Sequence, residues 1–424
     1  MVTLPEEFIR ITRQLMGEER FASYLAAFDE EPPVSIRLNP KKINSQFSAR
    51  LCRLARPRIL NSQFNLVPWC DYGYYLTHRP NFTFDPLLHA GCYYVQEAAS
   101  MFIHHILKNL PFLEEGAGAD ILDLCAAPGG KSTCAISALP EGTKLWANEP
   151  IRQRASILLE NITKWGYPDC TVTNNYPRDY VRSGLLFDII LCDVPCSGEG
   201  MFRRDPQTIS EWSAQNVEKC WRLQREIVSD AWQCLRPGGV LIYSTCTFNT
   251  KENEENIRWI LEHFDADILP MSTQPEWNIT GSLLTGFDAP VYRFIPGITR
   301  SEGLFVAVIR KTIPNLRPTS IPSRAGRESR YSKRQLSSLK IINPPSCAGG
   351  DEGDVPLSYP QAIAYLRGEA IVLPEEAPRG IVTVSFMGHP LGQVKNIGNR
   401  ANNLYPKEWR IKSTHIPQEY EPIM

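Results

Sequence analysis

Asp120-Ile-Leu-Asp-Leu-Cys-Ala-Ala-Pro-Gly-Gly-Lys-Ser132 reads as a short apolar strand that runs into two glycines and then into a helix. In a doubly wound sheet, such a junction places a ligand at the carboxyl edge of the strands. Gly129 and Gly130 let the backbone come close to that ligand. The stretch is not a phosphate-binding P-loop: Gly130-Lys131-Ser132 matches the end of that motif, but Cys125 stands where its first glycine belongs. Nor do the glycines have the G-x-G-x-x-G spacing of a dinucleotide fingerprint. The next apolar run, Leu145-Trp-Ala-Asn-Glu149, ends in an acid, about 20 residues after the glycines, where it can hold ribose hydroxyls. A carboxylate only accepts hydrogen bonds, which suits two adjacent hydroxyls and repels a 2′-phosphate. The ligand therefore carries a free ribose, and S-adenosylmethionine fits.

Outward from this junction, apolar runs alternate with helical periodicity. The runs are Ile121–Cys125, Lys144–Asn148, Thr171–Asn174, Phe187–Val194 and Val240–Cys246; helix-like stretches cover Lys131–Leu139, Ile151–Trp165, Ile209–Leu235 and Lys251–Phe264. The alternation predicts an α/β fold, a parallel sheet with helices on both faces. Two further runs, Val291–Ile295 and Leu304–Lys311, close it with a hairpin, which resembles the Rossmann-like seven-stranded fold of S-adenosylmethionine-dependent methyltransferases. Before it, Glu6–Phe28 has apolar residues at helical spacing and Ser35–Asn39 alternates like a strand. After it comes a segment rich in Pro, Ser, Gly and Arg, then a small β-rich module around Gly380-Ile-Val-Thr-Val-Ser-Phe-Met387. The expected division is an N-terminal α+β extension (1–110), a catalytic domain (111–311), a basic linker or small subdomain (312–355) and a C-terminal module (356–424).

Two cysteines close strands on the functional edge: Asp193-Val-Pro-Cys196 after the fourth run and Ser244-Thr-Cys246 after the fifth. Carbon 5 of cytosine is a poor nucleophile. A thiolate that adds to carbon 6 makes carbon 5 nucleophilic enough to take a methyl group, and loss of the carbon 5 proton then expels the thiolate. One difficult step becomes two easier ones, and an ionised thiol both attacks well and leaves again. An acid near ring nitrogen 3 stabilises the electron-rich adduct, provided it holds a proton or an extra hydrogen bond; Asp193 is the candidate. Residue order alone does not decide which cysteine attacks.

The remaining composition narrows the setting. No run of the 424 residues approaches the length of a membrane span, and Met1–Glu7 lacks a secretory pattern, so a cytoplasmic protein is expected. The twelve cysteines include no CxxC pair, which argues against structural zinc and against a disulfide scaffold. No metal is expected, and a monomer is. The net charge of −1 hides an uneven distribution. Val34–Cys70 has no acid but seven basic residues, Arg37, Lys41, Lys42, Arg50, Arg53, Arg56 and Arg58, and Arg310–Lys340 has nine basic residues against Glu328 alone. Such segments can neutralise phosphates or simply be solvated linkers.

With Tyr94-Val-Gln-Glu-Ala-Ala-Ser100, Asp123-Leu-Cys-Ala-Ala-Pro-Gly-Gly-Lys131, Asp193-Val-Pro-Cys196 and Ser244-Thr-Cys246 in view, the chain resembles the RNA cytosine-5 methyltransferases of the Sun (Fmu) family over about residues 28–311. The resemblance implies that Cys246 is the nucleophile and that Cys196 assists release of the methylated product. It also implies S-adenosylmethionine contacts along Cys125, Ala126, Ala127, Pro128, Gly129, Gly130 and Lys131, at Glu149 and at Asp193. One departure is visible: in Asn174-Asn-Tyr-Pro177, Tyr176 stands where many members carry an acid near the adenine, though Asn174 or Asn175 could supply a contact. The segment 380–410 resembles the C-terminal PUA-like module of bacterial RsmF-type enzymes, which modify a cytidine in the decoding region of 16S rRNA. There Lys395, Arg400, Lys407, Arg410 and Lys412 surround Tyr405 and Trp409, and cations with aromatics can serve phosphates and stacked bases. The implied partner is rRNA, in the small ribosomal subunit or its precursor. The alternatives are the same chemistry on tRNA, or a non-catalytic ribosome-assembly factor that keeps the fold.

Overall fold

The computed structural model describes residues 3–43, 64–110, 118–312, 331–344 and 354–413, together with 415, 417, 420 and 423. Arg50, Arg53, Arg56 and Arg58 of the first basic segment, and Arg317, Arg324, Arg327 and Arg330 of the second, lie outside the described residues. The N-terminal helical stretch is two helices, α1 (Glu6–Met16) and α2 (Glu18–Ala26), because Gly17 adopts a positive φ of 77° that ends the first. Strands β1 (Val34–Leu38), β2 (Phe64–Leu66) and β3 (Gly73–Leu76), helix α3 (Pro86–His89), strand β4 (Tyr93–Val95) and helix α4 (Phe102–Lys108) follow. The four strands form an antiparallel sheet in the order β2-β3-β1-β4.

The middle of the chain runs β5 (Asp120–Asp123), α5 (Gly130–Ala138), β6 (Lys144–Asn148), α6 (Arg152–Trp165), β7 (Cys170–Thr173), α7 (Pro177–Ser183), β8 (Phe187–Asp193), α8 (Gln207–Glu211), α9 (Ala214–Cys234), β9 (Leu235–Thr245), α10 (Glu254–His263), β10 (Ala266–Ile268), β11 (Val291–Phe294), β12 (Leu304–Lys311), α11 (Lys333–Ser337) and β13 (Ile341–Ile342). The single helix expected over Ile209–Leu235 breaks at Ser213, whose side chain accepts the Asn216 N–H and caps α9. The seven expected strands are β5 to β9, β11 and β12, but the sheet has nine, in the order β10-β12-β9-β8-β5-β6-β7-β13, with β11 sharing the outer edge of β12. Strands β5 to β9 are parallel; β12 returns antiparallel to β9. The order reverses between β5 and β8, so a crevice opens at their carboxyl ends. Strand β13 pairs with β7, so residues 331–344, grouped with a linker or subdomain by composition, attach to the catalytic sheet.

Alternation along the central strands divides their side chains between two cores. Ile121, Ile189, Leu191, Val240, Ile242, Val306 and Val308 pack on one face. Leu122, Ile190, Cys192, Leu241, Tyr243, Phe305 and Ala307 pack on the other. Both sets are buried, which is why these strands read as continuous apolar runs.

The C-terminal part comprises β14 (Asp354–Pro356), α12 (Tyr359–Leu366), β15 (Gly380–Phe386), β16 (His389–Asn396) and β17 (Ala401–Asn403), in one four-stranded sheet. Its apolar face does not stand alone. Val355, Ile363, Leu366, Val384 and Val394 share a single core with Ile36, Leu38, Phe84, Leu87 and Tyr93 of the N-terminal sheet. Polar contacts follow the same seam: the Tyr359 hydroxyl donates to Phe84 O at 3.2 Å and the Tyr420 hydroxyl to Asp85 Oδ1 at 3.2 Å. No helix of the described residues is long and apolar enough to cross a membrane.

Candidate active site

The carboxyl end of β5 passes into the glycine loop. Gly129, at φ 113°, caps α5, a conformation that a residue with a side chain rarely adopts. Asp123 lies beneath the loop, fully buried, and its Oδ2 accepts the Ser132 hydroxyl at 2.6 Å. Burial pushes its carboxyl up to about 7, and its Oδ1 has no partner. Glu149, at the tip of β6, accepts the Ile151 N–H at 3.0 Å through Oε1. Its Oε2 is buried without a hydrogen-bond donor, though Arg154 Nη1 is 3.4 Å away. Arg154 also donates to Ala127 O at 2.9 Å, so one guanidinium spans the glycine loop and Glu149.

The ends of β8 and β9 bring the chemistry together. Both oxygens of Asp193 are engaged: Lys131 Nζ donates to Oδ2 at 2.9 Å and the Ser244 hydroxyl to Oδ1 at 2.7 Å. Burial works against the Lys131 charge, but Asp193 outweighs it and holds the ammonium above its ordinary range. Cys196 Sγ and Cys246 Sγ are 3.4 Å apart. That contact, together with burial, raises the Cys196 thiol well above its ordinary range. Among the described residues all ten cysteines are free thiols.

These groups face one cleft of about 670 Å³. Of the residues singled out from sequence, Cys125, Ala126, Ala127, Pro128, Gly130, Lys131, Asp193, Cys196 and Cys246 line it; Gly129 and Glu149 stand just behind the lining. The reason differs for each. Gly129 turns toward Leu158 of α6, and Glu149 is 1% exposed beside Arg154. The cleft also takes Gln96, Glu97 and Ser100 from the loop after β4, and Glu302, which pairs with Arg203 at 3.0 Å. Tyr94–Ser100 stood out through the family resemblance as a motif without a role.

Two expectations are corrected. Arg37 does not meet phosphate. It is 1% exposed, donates to Gln96 Oε1 at 2.7 Å and Thr133 Oγ1 at 2.6 Å, and lies 4.4 Å from the Trp165 ring, so it ties the N-terminal sheet to the glycine-loop helix. Lys42 is likewise spent on the carbonyls of Ala90 and Lys164. Tyr405 is 4% exposed, so it is structural rather than open to bases, while Trp409 is half-buried against the same core. After β7, Asn174 donates to Glu149 O and Pro150 O, Asn175 exchanges hydrogen bonds with the Lys340 backbone, and Tyr176 is 65% exposed.

The comparisons agree with this architecture. The 16S rRNA methyltransferase RsmB/F family matches residues 111–310, the N-terminal domain of 16S rRNA methyltransferase RsmF matches 4–98, and the methyltransferase RsmF PUA domain matches 352–411. A solved methyltransferase homolog protein from Pyrococcus horikoshii is 28% identical, with a TM-score of 0.60 over 73% of this chain and 96% of that one. The ribosomal RNA small subunit methyltransferase F of Pectobacterium atrosepticum is 34% identical over 318 residues, which are 73% of this chain but only 63% of that protein. The protein of that name from Shigella dysenteriae is 30% identical over 477 aligned positions, covering 96% of each chain. Three family matches in chain order and a relative aligned over almost its whole length place this chain in the RsmF-type family of 16S rRNA methyltransferases.

Proposed function

We propose that the protein transfers a methyl group from S-adenosylmethionine to carbon 5 of a cytidine in the decoding region of 16S rRNA, through a covalent bond between Cys246 and cytosine carbon 6. The observation that carries this reading is the thiol pair. Cys196 and Cys246, 3.4 Å apart, share a cleft with the Lys131–Asp193 pair and the glycine loop.

The cofactor fits the residues present. Asp123 Oδ1 and Glu149 Oε2 are buried acceptors without donors at this edge, and a ligand with ribose hydroxyls and an ammonium can satisfy such atoms. Cys125–Lys131, Glu149 and Asp193 are the residues proposed to hold it, with Arg154 moving aside to open Glu149. Bound there, S-adenosylmethionine supplies the electrophilic methyl group.

The chain's own residues do the rest. The target base leaves its stack to reach the cleft. Cys246 adds to carbon 6, and the ring's electron density moves toward nitrogen 3 and carbon 5. The Lys131–Asp193 pair supplies the stabilising charge at nitrogen 3 that Asp193 alone, as a carboxylate, would not. Cys246 is the attacking sulfur, as the family resemblance implies, and Cys196, 3.4 Å away, stands beside the departing Cys246 sulfur when the bond to carbon 6 breaks. The catalytic domain, 111–311, is flanked by the extension 1–110, the basic segment 312–355 and the module 356–424, and rRNA binding falls to these flanks. The setting is the cytoplasm.

The test is bisulfite sequencing of 16S rRNA and tRNA from cells with and without the protein. A protected cytidine in the decoding region that disappears with the protein is expected. Loss confined to tRNA would transfer the activity to tRNA, and no loss in either would overturn it.

A further inference from the structure

We infer that Glu199 and Glu252 are positioning residues that hold Cys196 against Cys246, each reaching from its own thiol-bearing loop to brace the other. The inference rests on the two-thiol reading above and adds the device that sets the distance between the sulfurs.

The loops after β8 and β9 meet along their backbones. Gly200 N donates to Cys246 O at 2.7 Å. A β-carbon at Gly200 would fall 2.5 Å from that oxygen, so a glycine is needed for this approach. The side chains then cross. Glu199, three residues after Cys196, accepts the backbone N–H groups of Phe248 at 2.6 Å and Asn249 at 3.0 Å through Oε2. These are the second and third residues after Cys246. Glu252, six residues after Cys246, accepts the backbone N–H of Ser197 at 3.0 Å through Oε2, and Ser197 directly follows Cys196. Each acid thus fixes the backbone next to the opposite thiol.

The remaining lone pairs lock the brace in place. Asn249 Nδ2 lies within hydrogen-bond reach of both acids, 3.0 Å from Glu199 Oε1 and 2.8 Å from Glu252 Oε1. Trp212 Nε1 donates to Glu199 Oε1 at 3.0 Å and Gln224 Nε2 to Glu252 Oε2 at 2.7 Å, which anchors the acids to the segment leading into α9 and to α9 itself. Ser197 Oγ and Thr247 Oγ1 are 2.8 Å apart, a further link between the loops. Both acids are almost fully buried, at 2% and 0% exposure. Neither lines the cleft, so neither touches substrate. A buried carboxylate is expensive unless its hydrogen bonds are made. Here those bonds are spent on the spacing of two loops whose sulfurs must meet.

The thiol distance can be read without RNA. Diamide, a dithiol oxidant, joins two neighbouring thiols: both lose their protons, the two sulfurs form one bond, and the two electrons reduce the diazene to the hydrazine. Peptide mass mapping of the full chain separates the Cys196–Cys246 disulfide from any other. In the wild type this bond forms first. In Glu252→Gln and in Glu199→Gln, an amide N–H faces donors that need an acceptor, and the disulfide should form about tenfold more slowly, as effective concentration falls with lost alignment. S-adenosylmethionine affinity should stay within about threefold of wild type, since neither acid lines the cleft. Glu252→Asp, which keeps the accepting carboxyl oxygens, should restore part of the rate.

Unchanged disulfide rates in both glutamine variants would overturn the brace. So would a parallel loss of cofactor binding in every variant that slows oxidation, because the acids would then be holding the fold rather than the thiols. The second readout uses RNA. The glutamine variants should accumulate a denaturant-resistant protein–RNA adduct that the wild type turns over. Slowed oxidation with normal adduct turnover would show that the spacing is not used for release. An absence of any adduct or methylation in the wild type would instead count against the proposed reaction, leaving the oxidation result to stand by itself.

Discussion

Lys131 belongs by sequence to the glycine loop and by geometry to the reacting groups, since its ammonium sits 2.9 Å from Asp193. Lys131→Met should therefore lower methyl transfer by roughly 10²–10³-fold, the usual cost of losing one preorganised charge at the reacting centre. Cofactor affinity should change only a few-fold. Radiolabelled methyl transfer and a cofactor titration check the two halves, and a variant that loses affinity and rate equally would leave Lys131 with its cofactor role alone. Single residues were legible where the local pattern carried their context. Cys196 and Cys246 each follow an apolar run at a strand end, so their shared edge could be read. Arg37 could not, because the number of charges in a window does not distinguish an exposed guanidinium from one buried against Trp165. Glu199 and Glu252 left no signal at all: the backbone groups they brace are separated from them by about fifty residues, and only the fold brings them together.

At the scale of elements, buried carboxyls at a strand end and in the loop after β9 predict how stability follows pH. Burial raises Asp123 and Glu252 to about 7. The folded state therefore keeps protons there that the unfolded chain has already released, and stability falls as pH rises toward and through 7. His89 and His104 act in the opposite sense. Burial lowers them to about 3 and about 4, so the unfolded chain takes up protons below about 6.5 and stability falls as pH drops. Urea unfolding between pH 5 and 8 should show a maximum near pH 6. Glu252→Gln should flatten the alkaline limb by on the order of 0.5 kcal/mol between pH 6.5 and 8; an unchanged limb would show that Glu252 does not hold its proton. Elements with long periodic runs were readable, and their ends were not. Gly17 and Ser213 split helices that apolar spacing alone had joined, since a turn and a cap depend on one residue's conformation or hydroxyl. Strand β13 is two residues long and pairs with a strand far away in the chain, so nothing local announces it.

The molecule as a whole is organised by a shared core. Because the C-terminal sheet packs on the N-terminal one, removing residues 356–424 would expose Ile36, Leu38, Phe84 and Leu87 and confuse a folding defect with lost RNA binding. Charge reversal asks the question more cleanly. Lys395, Arg400, Lys407 and Lys412 are exposed. Replacing them with glutamate should weaken RNA binding and lower its salt slope by roughly one unit for each phosphate no longer neutralised, with cofactor binding unchanged. Binding isotherms at several salt concentrations check this, and an unaltered slope would place the RNA elsewhere. The division into an extension, a catalytic sheet and a β-rich tail was readable from composition and period. The packing of the first against the last was not, since each reads as an amphipathic unit and neither names its partner.

The central claim is that Cys246 attacks and Cys196 releases. The most direct measurement is denaturing electrophoresis of each single alanine variant after incubation with S-adenosylmethionine and its 16S rRNA substrate. Cys196→Ala is expected to yield a denaturant-resistant protein–RNA band, because the bond to Cys246 forms and is not released, while Cys246→Ala is expected to yield none and to transfer no methyl group. A band with Cys246→Ala and none with Cys196→Ala would contradict the assignment and exchange the two roles.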